Sequence, residues 1–286
     1  VMFFPYGDTP NPRGFKPWMT RLLILANFAV YFLISSPLAG QQASAADPGW
    51  LAYLEFLAGH LGALTPEVIS GITRYDLYTF AHGFQPGSPS IQDLLFSIFL
   101  HGGLLHLLGN MLFLWIYGDN VEHKLGRLGF LVAYLVTGVA ATLSYAALAG
   151  NSMTPLVGAS GAISGILGLY FILFPKNRVK IFVFLFPLLV TVWHVPARIV
   201  LALYLLADNL LPLVLGADSG VAYGAHIGGF VAGVVLAVSG RAMSRAAGWL
   251  KKAFGPRQVV KKVPRSNRPD PRTVIIDAEY VDDVRN

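Results

Sequence analysis

The chain has 286 residues, of which 55% are hydrophobic and only 13% charged, with 30 glycines and no cysteine; its mean hydropathy is +0.58. Soluble domains carry about 25% charged residues, so this composition points to a membrane protein with several spans. It also excludes a disulfide framework, thiolate metal sites and a thiol nucleophile. The net charge is +6. Lys and Arg gather near the N-terminus, in two short connections (Lys124 and Arg127; Lys176, Arg178 and Lys180) and in the tail from Arg241 onward. Cytoplasmic loops of membrane proteins collect such residues, which accounts for the clusters without nucleic acid, and none is expected as a partner.

A helix needs about 20 mostly apolar residues to cross the hydrocarbon layer. Six runs qualify: Trp18 to Leu38, Leu94 to Tyr117, Leu128 to Ala149, Val157 to Phe174, Ile199 to Leu215 and Val221 to Ser239. The first shows no secretory cleavage signal and is read as a retained span. The connection from 39 to 93 is long, and apolar residues at helical spacing between Trp50 and Ile72 suit a helix lying in the membrane interface. Ile181 to Val195 is apolar but short and is interrupted by Pro187, which suits an interfacial or re-entrant segment.

Charge decides how that last stretch is counted. If it does not cross, both termini and both basic connections share one side, and Arg74 is left on the other. The fold expected is therefore all-α and polytopic, with six transmembrane helices over residues 18–240. A cytoplasmic segment, 1–17, precedes them, and a basic cytoplasmic tail, 241–286, largely disordered, follows. The basic part of that tail suits anionic lipid headgroups, and the bilayer is the one partner composition implies directly.

Polar side chains inside spans are costly and mark sites by default. The second span carries His101, His106 and Asn110, the fourth Ser160 and Ser164, the sixth His226. With six spans these helices all run from outside inward, and each has its polar residues in the first half, so they share one leaflet. His106, Asn110, Phe113 and Tyr117 form one stripe. Glycines around Ser160 (Gly158, Gly161, Gly165 and Gly168) and around His226 (Gly224, Gly228, Gly229 and Gly233) allow the two backbones to approach closely.

A serine hydroxyl becomes a nucleophile when a base takes its proton, and neutral imidazole is matched to that task near pH 7. Ser160 and His226 are thus a candidate dyad. His106 and Asn110 are candidate donors to the oxygen that becomes negative when serine attacks a carbonyl, with the Ser160 backbone N–H, near a helix start, as a third. Taken singly, each residue also fits helix-to-helix hydrogen bonding; it is their conjunction that points to catalysis. His60, His82, His123 and His194 receive no role. No metal site is expected: His-Glu-x-x-His is absent, and His101 and His106 lie about 140° apart around an ideal helix.

The segments His101-Gly-Gly-Leu-Leu-His106-Leu-Leu-Gly-Asn110 with Gly118-x-x-x-Glu122, then Gly158-Ala-Ser160-Gly161, then Ala225-His226-Ile-Gly-Gly229-Phe-Val-Ala-Gly233 resemble the motifs of a rhomboid intramembrane serine protease of bacterial type, in order and over roughly residues 20–240. The resemblance implies a rhomboid-like bundle, Ser160 as nucleophile, His226 as general base, His106 and Asn110 around the oxyanion, and His101, Gly158 and Gly161 in support. It also implies cleavage of single-span membrane proteins near the outer end of their helix, without a cofactor, and a mobile lid at Gly216 to Tyr223. A bacterial plasma membrane, with the site toward the outer face, is the expected location. Two features depart from the family pattern: no Trp-Arg pair occurs in the first external loop, and the aromatic residue that often stacks on the catalytic histidine, four positions after the nucleophile, is Ser164. The readings to separate are this enzyme, an inert rhomboid-like protein that binds membrane clients, and a small transporter. Presence of both Ser160 and His226 argues against the inert reading, and absence of paired halves against the transporter.

Overall fold

The structure, a computed structural model, describes residues 2–185, 189–216 and 221–254. Residues 1–244 form one compact unit and 245–286 a second, of which 245–254 are described, as the end of a helix. The chain is mostly helical. In order come β1 (Met2–Thr9), α1 (Trp18–Ala39), α2 (Trp50–Leu61), α3 (Pro66–Gly71), α4 (Arg74–His82), α5 (Ile91–Phe96), α6 (Leu104–Ala149), α7 (Ser160–Leu173), β2 (Arg178–Leu185), β3 (Leu189–Pro196), α8 (Ala197–Val214) and α9 (Tyr223–Phe254).

Among the described residues, four helices are long and apolar enough to cross a bilayer: α1, α6, α8 and the Tyr223–Ala242 part of α9. α6 has 46 residues, but Gly126 (φ 73°, ψ 166°) is non-helical and divides it in two. Its backbone lies in the left-handed region that favours glycine, between Lys124 and Arg127, where a connection was expected. α7 has only 14 residues, and every residue from Gly161 to Tyr170 is buried. Enclosed by protein, it need not offer lipid a full-length apolar surface. These elements are compatible with six membrane segments.

Glycines set the central packing. A Cβ on Gly229 would lie 2.1 Å from the Gly161 carbonyl oxygen, and one on Gly233 1.9 Å from that of Gly165. Residue numbers rise together along this seam, so α7 and α9 run in the same direction, as the parity of six spans requires. The second half of α6 runs against them: Ala141 meets Gly161, Thr137 meets Gly165 and Ser144 meets Gly228.

Three sequence expectations change. First, Met2–Thr9 of the N-terminal segment, Arg178–Leu185 and Leu189–Pro196 form an antiparallel sheet of order β1-β2-β3, where the all-α reading foresaw no strand. Val179 and Val183 alternate inward and are buried, the period of a strand. Pro187 lies outside the described residues. Second, His101 precedes the second long helix instead of lying within it: α5 and a short 3-10 turn end at Phe99, and α6 begins at Leu104. Third, α6 continues past Tyr117, because Asn120, Val121 and Glu122 are buried and helical beyond the apolar run.

The long loop is ordered around a small core of Ala43, Trp50, Ile72 and Leu77. Its α4 starts with a reciprocal Thr73/Asp76 capping box, which satisfies two free N–H groups. The expected lid and tail fall partly outside the described residues, at 217–220 and 255–286.

Candidate active site

Ser160 is the first residue of α7. Gly158, two positions earlier, has φ 121°, and its N–H donates to the Ser97 carbonyl at 2.8 Å. A side chain there would also press on His106, since a Cβ would sit 2.9 Å from the ring carbon Cε1. This glycine therefore lets the serine loop and the histidine share one wall. The first-turn N–H groups of α7 have no partners within the helix and point at whatever stands beside Ser160.

The Ser160 Oγ lies 2.7 Å from Nε2 of His226. On its other side, the His226 Nδ1 lies 2.7 Å from Oδ1 of Asn209, in α8. Ser164 is turned away from this line: its hydroxyl donates to the Ser160 carbonyl at 2.7 Å, one turn back, and meets the Tyr204 hydroxyl at 2.6 Å. Tyr204 also puts its ring 6.4 Å from that of His226, tilted by 31°. An aromatic neighbour of the histidine is thus present, supplied by α8 and not by the position four after the serine.

Ser160, His226, His106 and Asn110 all line one cavity of about 690 Å³. No Asp, Glu, Lys or Arg is among its described lining residues. Asn110 is 8% exposed, and its side-chain nitrogen has no hydrogen-bond partner. A buried amide N–H₂ without a partner is uncommon in folded proteins; here it is a donor available to a group in the cavity. His101 is fully buried behind His106, with ring centroids 5.1 Å apart and edge to face. Its Nδ1 lies 3.2 Å from the Phe99 carbonyl, and its own carbonyl accepts from the Tyr75 hydroxyl of α4 at 2.8 Å. The long loop is therefore tied to the segment that supports His106.

The structure brings together Ser160, His226, His106, Asn110 and Gly158. Gly161 sits on the α7–α9 seam, and His101 stands one layer back. Sequence reasoning missed Asn209 and Tyr204. Their signal is an Asn and a Tyr in a mostly apolar span, but that span, the fifth, carries none of the glycine-flanked motifs found on the second, fourth and sixth.

Fold and site together define a multi-pass helical membrane protein with a serine and a histidine in hydrogen-bond contact beside a cavity. A family profile described as the Rhomboid domain matches residues 89–242, and the chain belongs to that family. It is similar to RHOMBOID-like protein 5 of Arabidopsis thaliana, 31% identical over 81% of this chain and 70% of that one. RHOMBOID-like protein 4 of the same plant is 26% identical over 85% of this chain, which spans 57% of that relative's length. A shorter match, 40% identical over 30% of this chain and 16% of the relative, is to Rhomboid protease GluP of Bacillus subtilis (strain 168).

Proposed function

We propose that the protein is an intramembrane serine endopeptidase in which Ser160 is the nucleophile and His226 the general base. The observation that carries this reading is the 2.7 Å contact between Ser160 Oγ and His226 Nε2 at the wall of a cavity. In that geometry the imidazole accepts the hydroxyl proton as oxygen attacks a peptide carbonyl carbon, then returns it to the leaving amine nitrogen. A water molecule, activated by the same ring, releases the acyl group from serine. The tetrahedral oxyanion takes hydrogen bonds from Asn110, whose amide nitrogen is unpartnered, from a His106 ring N–H and from the Ser160 backbone N–H. Donors already fixed in place cost little reorganisation as charge develops.

Membership of a family that includes a relative named as a protease supports the same reading. Substrates are single-span membrane proteins whose helix can open near its end, because a helical peptide bond is shielded by its own hydrogen bonding. The membrane domain occupies residues 18–240. Both termini lie on the cytoplasmic side with the basic connections, and the site faces the outer side of a bacterial plasma membrane.

The test is cleavage of a panel of single-span proteins co-reconstituted with the purified protein in liposomes. Wild type cuts at least one, and Ser160→Ala and His226→Ala, folded, cut none. Binding of the panel by wild type without any cleavage would instead support the client-binding reading.

A further inference from the structure

We propose that Asn209 is a positioning residue that holds the His226 imidazole in its Nδ1–H tautomer, so that Nε2 offers its lone pair to the Ser160 hydroxyl. The inference rests on the reading of Ser160 and His226 as nucleophile and base. It follows from which atoms can donate. The Asn209 side-chain nitrogen donates to the Tyr204 backbone carbonyl at 2.6 Å, and a carbonyl can only accept. The amide is thereby oriented, and its Oδ1, an acceptor, faces His226 Nδ1 at 2.7 Å. Nδ1 must then carry the proton, which leaves Nε2 as the acceptor for Ser160, 2.7 Å away. Asn209 is 1% exposed, so water does not compete for these positions.

Backbone geometry explains how one helix delivers both neighbours of the histidine. On an α-helix, residues 204 and 209 would point about 140° apart. Here Leu206–Leu210 form a π turn, whose wider repeat brings Asn209 round to the side of Tyr204. The cause is written three residues on: Pro212 has no N–H, and its ring would strike the carbonyl four residues back in an unbroken α-helix. Asn209 is uncharged, consistent with a cavity whose described lining includes no acid. It orients the ring without placing a full negative charge beside it.

The experiment measures the rate of covalent labelling by a fluorophosphonate probe across pH, on the whole chain in detergent, with thermal unfolding as the check on folding. The variants are Asn209→Ala, Asn209→Leu and Asn209→Asp. The other titratable groups near His226 are unchanged throughout: His106 and Tyr145 of α6, Tyr204 of α8, His101 behind His106, Tyr223 on the first turn of α9 and the exposed Asp208. Asn209→Ala and Asn209→Leu lower the limiting labelling rate roughly ten- to hundredfold, part of the 10²–10⁴ a well-placed base supplies, with half-saturation unchanged. Asn209→Asp keeps labelling and moves the acid limb of its rate profile to higher pH, because a carboxylate at Nδ1 favours the protonated ring. If the first two do not fold, the pH profile of Asn209→Asp decides alone. Unchanged limiting rates in folded variants, or an unmoved acid limb, overturn the role of Asn209 and leave the hydrolase reading standing. A wild type that takes up no probe removes both.

Discussion

Asn110 carries the clearest residue-scale prediction, since its amide nitrogen is buried and without a partner. Asn110→Ala should lower the limiting cleavage rate by roughly 10² or more and leave half-saturation by substrate nearly unchanged, because an oxyanion donor acts in the transition state. A rise in half-saturation with no loss of rate would place Asn110 in substrate binding instead. The same scale shows what could be read from sequence. Ser160 and His226 were legible because each sits in a polar-plus-glycine motif inside an apolar run. Asn209 was not, because its value depends on a π turn that joins it to Tyr204 on one side of α8. The absence of an aromatic residue at Ser164 was visible, but its replacement by Tyr204, forty positions away, requires the fold.

At the scale of elements, the α7–α9 seam holds the dyad together. Gly233→Ala would force a methyl group to within 1.9 Å of the Gly165 carbonyl oxygen, and neither backbone can yield without separating the helices that carry Ser160 and His226. We expect a loss of about 1–3 kcal/mol or more in stability, typical of overpacking, together with loss of labelling. A normal unfolding temperature with normal labelling would contradict this packing. Glu122 acts at another helix end: fully buried in α6, its carboxylate accepts from Met19 N–H at 3.0 Å and from Thr20 N–H and hydroxyl at 2.8 Å each. It serves as a long-range cap for α1, which Pro17 leaves without a side-chain cap of its own. Glu122→Ala should cost about 1–3 kcal/mol, the penalty for stranding buried donors, measured as a lower unfolding temperature. The membrane helices were legible from apolar length: four of the described helices are long and apolar enough to cross a bilayer, and the elements are compatible with the six segments expected. The sheet was not, since β2 and β3 are apolar enough on both faces to hide their period of two.

On the scale of the whole molecule, the sheet fastens the N-terminal strand to the bundle through Asp8. This residue is 1% exposed, accepts from the Asn120 side chain at 2.8 Å and from the Tyr170 hydroxyl, and leaves its second carboxylate oxygen without a partner. Burial pushes its carboxyl above the ordinary 3.8, against the opposing pull of hydrogen bonds from Tyr170 and Asn177 and of the Lys180 charge. A group raised on folding favours the folded state fully below its unfolded value and loses that contribution as pH rises through the folded one. Wild type should therefore lose stability relative to Asp8→Asn as pH rises from about 4 toward neutral. A difference that is constant with pH, or that grows in the opposite sense, would contradict a raised carboxyl. Tyr170 is ten residues from Ser160, about 15 Å along α7, so Asp8→Asn should leave labelling at neutral pH unchanged.

The most direct measurement of the central claim is mass spectrometry of the detergent-solubilised wild type after reaction with a fluorophosphonate. The account predicts one adduct per chain, on the peptide containing Ser160, and none when His226 is replaced by alanine in a folded protein. An adduct on another residue, or equal labelling without the histidine, would contradict it.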